Sequence, residues 1–215
     1  MFVDTHCHLT MLDLSLYNGD LDQALAQARL AGVSKFMGIS VDLDDHIQLA
    51  EIASRHDDVG YSVGVHPCED TDTMARATTD YLIQLAQDDK VWALGETGLD
   101  YYHIADFIAE QKQCFARHIQ ASKIVKKPVV VHTRAAKHDT VDIIQAEQST
   151  HGILHCFTED WETAKAVLDC GYYISFSGII SFKNAQDLRD VAKKVPLDRV
   201  LIETDSPYLT PTPFR

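Results

Sequence analysis

Histidines and carboxylates stand at the ends of several short apolar runs in this sequence. The first run, from Phe2 to His8, reads as a short buried strand with His6 and His8 two positions apart. Alternate residues of a β-strand point to the same face, so the two imidazoles should project together from the carboxyl end of the strand. Two imidazoles in that arrangement can hold one metal ion.

Four later apolar runs end in the same kind of side chain. An isolated histidine at a strand end is usually a hydrogen-bonded loop residue, and an isolated carboxylate often caps a helix. Coincidence is a poor explanation for five such strand ends, so we interpret these residues as one set of metal ligands. The set is His6, His8, Glu96, His132, His155 and Asp205.

Four imidazoles and two carboxylates are more donors than one ion normally takes. The set therefore predicts two divalent ions bridged by a carboxylate, which we assign to Glu96. We expect one ion to be held by His6, His8 and Asp205 and the other by His132 and His155. Zn²⁺, Mn²⁺, Mg²⁺ or a similar cation is expected, although Mg²⁺ prefers oxygen ligands.

Strand-like apolar runs alternate with helical patterns along the whole chain. The predicted strands are 2–8, 35–39, 59–65, 91–95, 128–131, 152–154, 172–176 and 200–202. The predicted helices are 21–31, 45–56, 80–88, 107–125, 137–148, 161–168 and 185–194. Eight strands with helical crossovers predict an α/β fold, most economically a (β/α)8 TIM barrel.

A closed barrel accounts for the ligand-type residues better than the alternative, an open doubly wound sheet. Only a closed ring brings the ends of the first and last strands together, and active sites of TIM barrels lie at the carboxyl ends of the strands. No linker or repeat interrupts the chain, so we predict one domain, 1–215. The sequence stops ten residues after Asp205, so we expect the last helix to be missing and apolar surface on strands one and eight to be uncovered.

Composition narrows the classes of function. The net charge of −13 argues against a protein that coats nucleic acid nonspecifically. No apolar run is long enough for a transmembrane helix, and no secretory signal is visible, so we expect no membrane association. Five scattered cysteines without a C-x-x-C pattern favour a reducing, cytoplasmic setting. No obligate protein partner is indicated.

Five further residues are candidates for supporting roles around the predicted metal ions. His66 follows the third strand and is a candidate for binding substrate. Arg134 lies just past the fifth strand and is a candidate for holding a phosphate. Tyr101 and its neighbour Tyr102 follow Glu96 on the same side and are candidates for stacking on a base. Glu203 is two residues before Asp205, so it shares that face and could orient a ligand histidine from behind.

Six motifs follow one another along the chain. They are Asp4-Thr5-His6-Cys7-His8-Leu9, Gly64-Val65-His66-Pro67, Gly95-Glu96-Thr97-Gly98-Leu99-Asp100, Val131-His132-Thr133-Arg134, His155-Cys156-Phe157 and Glu203-Thr204-Asp205-Ser206-Pro207-Tyr208-Leu209. In this order the motifs resemble the TatD family of metal-dependent hydrolases. The resemblance implies a TIM barrel of the amidohydrolase-like group. It also implies a metal-dependent deoxyribonuclease, in several members a 3′→5′ exonuclease.

The resemblance places the family's metal positions on the same six residues as the strand-end pattern, and it makes His66 an active-site histidine. Two departures stand out. Glu159 occupies a position that is usually glycine in the family, where a carboxylate near the cleft mouth would oppose phosphate binding. The family also usually continues past the position of residue 215 with a loop and a final helix.

Together these observations predict a two-metal hydrolase of ester bonds, with DNA ends as substrate and RNA ends left open. Asp205 is the expected general base toward a metal-activated water, and Glu96 is the second catalytic carboxylate. One alternative is an amidohydrolase or esterase acting on a C–N or C–O bond, aminoacyl-tRNA included. Another is a non-catalytic metal-binding protein.

Overall fold

The computed structural model describes residues 1–214 and contains one sheet of eight parallel strands. The strands pair in chain order, as expected for a barrel. They are β1 (Phe2–Cys7), β2 (Val33–Gly38), β3 (Val59–Val63), β4 (Val91–Asp100), β5 (Val129–Arg134), β6 (Gly152–Leu154), β7 (Tyr173–Phe176) and β8 (Val200–Ile202). This confirms the predicted TIM barrel. β4 and β5 extend further than predicted, so Glu96 and His132 lie inside strands rather than just past them.

Helices fill the connections between the strands. They are α1 (Leu21–Leu30), α2 (Asp45–Arg55), α3 (Thr71–Arg76), α4 (Thr79–Leu85), α5 (Ile108–Val125), α6 (Lys137–Ala146), α7 (Trp161–Asp169) and α8 (Gln186–Ala192). Short 3-10 turns lie at Leu9–Met11, Ser15–Tyr17, Gly178–Ser181 and Leu197–Arg199. Two helices, not the predicted one, connect β3 to β4. The N-cap side chains of Asp70 and Thr78 begin them separately.

The strands divide the apolar core between the inside of the barrel and the layer under the helices. Met37, Val130 and Ile153 belong to one small buried cluster. Their strand neighbours Phe36 and Val131 belong to larger clusters that include helix residues. Alternate strand residues face opposite sides, so this division is the pattern of a barrel packed on both faces.

The barrel closes between β1 and the segment that follows β8. The Asp205 N–H donates to the His6 carbonyl at 2.9 Å, and the His8 N–H donates to the Ser206 carbonyl at 2.8 Å. The buried Asp4 carboxylate accepts hydrogen bonds from the Thr204 N–H at 3.0 Å and from its hydroxyl at 2.7 Å. These contacts bring the two ends of the barrel together beside the predicted ligands.

Replacing Asp4 by alanine should weaken this closure. The change leaves the Thr204 N–H without its carboxylate partner, which we expect to cost about 1–3 kcal/mol of unfolding free energy. Urea unfolding followed by circular dichroism measures the loss. The exposed Asp142 of α6 is the matched control, since Asp142→Ala should change stability by less than about 0.5 kcal/mol. Equal effects of the two variants would contradict the role given to Asp4.

Apolar side chains remain exposed where a helix would cover the first and last strands. Phe2, Val3 and Ile202 are 57%, 42% and 48% exposed. No helix follows β8 in the part of the chain described, which ends at residue 214. Among residues 1–214, no helix combines the length and apolar content needed to cross a membrane.

The buried His118 of α5 supports the end of β3. Its Nε2 accepts a hydrogen bond from the Val65 N–H at 3.2 Å, immediately before His66, and its Nδ1 lies 2.8 Å from the Cys114 carbonyl. This pattern fixes a neutral imidazole protonated on Nδ1. Burial lowers the pKa of His118 to about 4, and the positive charge of Arg117 acts in the same direction.

This lowered pKa predicts acid sensitivity. Between about pH 6.5 and pH 4 the unfolded chain binds a proton at His118 while the folded protein does not, so stability falls as the pH falls through that window. We expect a loss on the order of 2–3 kcal/mol from this group. His118→Gln, which stays neutral, should lose less stability over the same window in urea unfolding with chelator present. Parallel pH profiles would contradict the assignment.

Candidate metal centre

The buried carboxylate of Glu96 lies at the middle of the predicted ligands. Glu96 is 2% exposed. Its Oε1 lies 2.7 Å from His155 Nε2, 3.1 Å from His132 Nδ1 and 3.4 Å from His66 Nε2. One oxygen of Glu96 therefore faces three imidazoles from the ends of β3, β5 and β6.

The other oxygen of Glu96 faces the end of β1. Glu96 Oε2 lies 3.3 Å from His6 Nε2 and 4.0 Å from His8 Nε2. Asp205 Oδ1 completes this side, at 3.5 Å from His6 and 3.4 Å from His8. All six predicted ligands thus converge, and Glu96 is the residue that both groups share.

Local backbone geometry brings these side chains together. Gly98 has a φ of 132°, and an added Cβ would collide with the carbonyl oxygen of His132, so only glycine lets β4 approach β5 here. Asp205 has a φ of 58°, in the left-handed region that aspartate tolerates better than most residues. This conformation lies next to the closing hydrogen bond from Asp205 to His6.

The histidines keep both carboxylates ionised. Burial by itself would raise the pKa of Glu96, but His155, His66 and His6 outweigh it and hold that pKa well below its usual range. Burial would also raise the pKa of Asp205, but a hydrogen bond from His8 and the charge of His6 outweigh burial and lower that pKa. Two carboxylates that stay negative in a buried cluster are suited to a cation.

The donors fit a divalent metal. Nε2 of His6, which faces Glu96 and Asp205, is buried and has no hydrogen-bond partner among residues 1–214. A buried polar atom without a partner is costly, and coordination to a cation would satisfy it. Donor atoms lie within 4.8 Å of one another in the groups His6–His8–Glu96 and His66–Glu96–His132. His66, predicted to bind substrate, therefore lies among the possible ligands.

Asp100 is a site residue that the sequence reasoning missed. Its Oδ2 lies 3.0 Å from His132 Nε2, on the opposite side of the ring from Glu96. The buried Gln111 of α5 accepts from the Asp100 N–H at 2.9 Å and fixes the end of β4. A carboxylate behind a histidine fixes its ring and tautomer. The signal was present, since Asp100 closes the quoted motif an even number of residues after Glu96.

Glu203 lies behind His155, as predicted. Its Oε1 is 3.4 Å from His155 Nδ1 and accepts a 2.6 Å hydrogen bond from the Cys156 N–H. That ion-pair distance exceeds a well-aligned hydrogen bond, and His155 Nδ1 has no such bond. Burial lowers the pKa of His155, but the charge of Glu96 outweighs it and raises that pKa well above its usual range, and Glu203 acts in the same direction.

A cavity of about 730 Å³ opens above these residues. Arg134 lines it, with its guanidinium 4.5 Å from the ring centre of Tyr102. Within residues 1–214, Arg134 has no ion pair. Tyr101 is less available than predicted, because its hydroxyl donates to Asp139 at 2.7 Å, whereas Tyr102 is 67% exposed. Glu159 is not part of the cavity wall formed by the described residues.

Comparison with known proteins identifies the family. The family profile described as TatD related DNase matches residues 3–215. The chain belongs to the TatD family. YcfH of Escherichia coli strain K12, named an uncharacterized metal-dependent hydrolase, is 46% identical over 215 residues, which are 99% of this chain and 80% of YcfH. YabD of Bacillus subtilis strain 168, with the same description, is 35% identical over 100% of this chain and 84% of its own length.

Solved structures agree with this assignment. The crystal structure of YjjV, a TatD homolog from Escherichia coli K12, has a TM-score of 0.87 and 25% identity to this chain. The match covers 99% of this chain and 82% of YjjV. This TatD protein is thus a metal-dependent hydrolase with the barrel and the donor cluster described above.

Metal binding should stabilise this TatD protein through Glu96. A ligand present at about 100 times its dissociation constant adds about 2.7 kcal/mol to the folded state. We therefore expect Zn²⁺ or Mn²⁺ to raise the melting temperature, and a chelator to reverse the rise. Glu96→Gln should lose most of this shift, while Glu110→Gln, on the exposed start of α5, should keep it. An undiminished shift in Glu96→Gln would rule Glu96 out as a ligand.

Proposed function

We propose that this TatD protein is a deoxyribonuclease that removes nucleotides from the 3′ ends of DNA with two divalent ions. The position of Glu96 between two donor groups carries the proposal, since it matches a pair of cations bridged by one carboxylate. Ligands on the two sides would be His6, His8 and Asp205 on one and His132 with His155 on the other. The family's description as DNase supports phosphodiester chemistry.

When bound, the two ions supply positive charge for phosphate oxygens and acidify a water molecule. Asp205 then accepts the proton of the attacking water as general base. Its Oδ1 lies at the centre, and the neighbouring histidines keep it ionised. The water oxygen bonds to phosphorus as the bond to the 3′ oxygen of the preceding nucleotide breaks. A 5′-nucleotide is released.

His66 and Arg134 act on the phosphate and the leaving oxygen. The Cys68 N–H donates to His66 Nδ1 at 3.1 Å, which leaves the His66 proton on Nε2, facing the centre. That N–H can donate to the leaving 3′ oxygen. Arg134 has no competing acidic partner among the described residues, so its N–H groups are free for a phosphate oxygen.

Of the two tyrosines, Tyr102 is the better candidate for the proposed stacking role. The exposed Tyr102 ring already holds the Arg134 guanidinium at the cavity, and an aromatic ring beside a cation suits a nucleobase with its phosphate. A cytoplasmic location stays a prediction from the cysteines. All five are free, as expected in a reducing compartment.

Digestion of end-labelled single-stranded DNA tests the proposed function. We expect stepwise loss of nucleotides from the 3′ end that stops with EDTA and returns with Mg²⁺, Mn²⁺ or Zn²⁺. Asp205→Asn should lower the rate by about 10²–10⁴-fold, the usual contribution of a general base. Asp142→Asn, on the exposed face of α6, is the matched control and should digest DNA at the wild-type rate.

Two outcomes would contradict the proposal. Full metal-dependent digestion by Asp205→Asn would remove Asp205 from the reaction. No digestion by folded, metal-loaded protein would reject the nuclease, and hydrolysis of p-nitrophenyl esters or amides would then assign the centre to the amidohydrolase or esterase class.

A further inference from the structure

A second group of metal-type donors lies on the cavity wall beside the centre described above. It consists of Cys68, Asp100 and His103, whose donor atoms all lie within 4.8 Å of one another. All three residues line the cavity. They come from two separate segments, the loop after β3 and the end of β4 with its following turn.

Each donor is placed differently. Asp100 is fully buried, and its Oδ1 accepts hydrogen bonds from the N–H groups of Tyr102 and His103 at 3.0 and 2.8 Å, so the carboxylate is fixed. The His103 ring is half exposed and can adjust. Cys68 is partly exposed, and its sulfur forms no hydrogen bond with any residue between 1 and 214.

Hydrogen bonding accounts for the proximity of only two members of the group, Asp100 and His103. His103 Nδ1 lies 2.8 Å from Asp100 Oδ2, which is an ordinary contact of a carboxylate with an imidazole. That contact does not require a thiol nearby. The presence of Cys68 therefore distinguishes this group from a simple ion pair. Its free sulfur lies near a nitrogen donor and an oxygen donor at an open cavity, and such a set of donors can bind a metal ion.

The geometry points to a third cation site, formed by Cys68, Asp100 and His103, that takes a thiophilic divalent ion such as Zn²⁺. Ligands at about 2.0–2.3 Å from a tetrahedral zinc lie roughly 3.4–3.6 Å apart, so the side chains need to move by about 1 Å. Binding releases the thiol proton of Cys68. His103 coordinates through Nδ1 and carries its own proton on Nε2. The fourth position opens to the cavity.

This site is separate from the Glu96 centre, but Asp100 lies between the two and contacts a histidine of each. Asp100 Oδ2 contacts both His103 Nδ1 and His132 Nε2, at 2.8 and 3.0 Å. An ion on the Cys68 side would therefore lie across the Asp100 carboxylate from the ring of His132. The sulfur donor makes the site of Cys68, Asp100 and His103 prefer a thiophilic ion to Mg²⁺, because Mg²⁺ avoids thiolates. The nitrogen and oxygen donors of the main centre do not give that preference.

Cobalt titration of the chelator-treated full-length protein tests this site without reference to its activity. Co²⁺ bound to a thiolate gives a near-ultraviolet charge-transfer band, which nitrogen and oxygen ligands do not give. We expect the band in the wild-type protein and its loss in Cys68→Ser. Cys156→Ser, beside His155, and Cys170→Ser, at the end of α7, are matched controls that should keep the band.

Zinc content measured by mass spectrometry completes the test. Cys68→Ser should bind one equivalent of zinc fewer than the wild-type protein, and His103→Ala should weaken formation of the cobalt band by at least about tenfold. Melting temperatures in chelator should match across the variants, which shows that folding is intact. A wild-type protein without the band, a band that persists in Cys68→Ser, or a band unaffected by His103→Ala would overturn the site, whether or not the protein digests DNA.

Discussion

The buried carboxylate of Glu96 is the interaction on which the rest of the structure depends. A buried negative charge is unfavourable without compensation. Here it is compensated by imidazoles on both sides, with His6 near one oxygen and His155 and His132 near the other. Those rings come from opposite parts of the barrel, so they reach one carboxylate only if the eight strands close in order. The same convergence provides donors for more than one cation.

The contacts that close the barrel therefore also position the residues of the site. β1 and the segment after β8 are joined by hydrogen bonds from Thr204 to the Asp4 carboxylate and from the Asp205 N–H to the His6 carbonyl, and these lie directly beside the ligands. The chain brings its own carboxylates and histidines together at one buried centre. Preorganised charges of this kind are the main source of catalytic power in hydrolytic sites.

The sequence predicted the barrel and the six converging residues because both follow from simple periodicities. Strand ends are visible as apolar runs, and residues at the ends of parallel strands meet at one face. Asp100 and the availability of Tyr102 could not be predicted in this way. They depend on which ring a carboxylate meets and on the hydrogen bond that holds Tyr101 to Asp139. The separate α3 was missed because six residues give too short a pattern to recognise.

Crystals of the protein grown with Mn²⁺, analysed by anomalous diffraction, test the central claim most directly. The account predicts two anomalous peaks flanking Glu96, one toward His6 and His8 and the other toward His132. Each peak should be within coordination distance of a different oxygen of Glu96. A single peak, or peaks that do not contact Glu96, would contradict the account and would leave this carboxylate as a partner of the histidines alone.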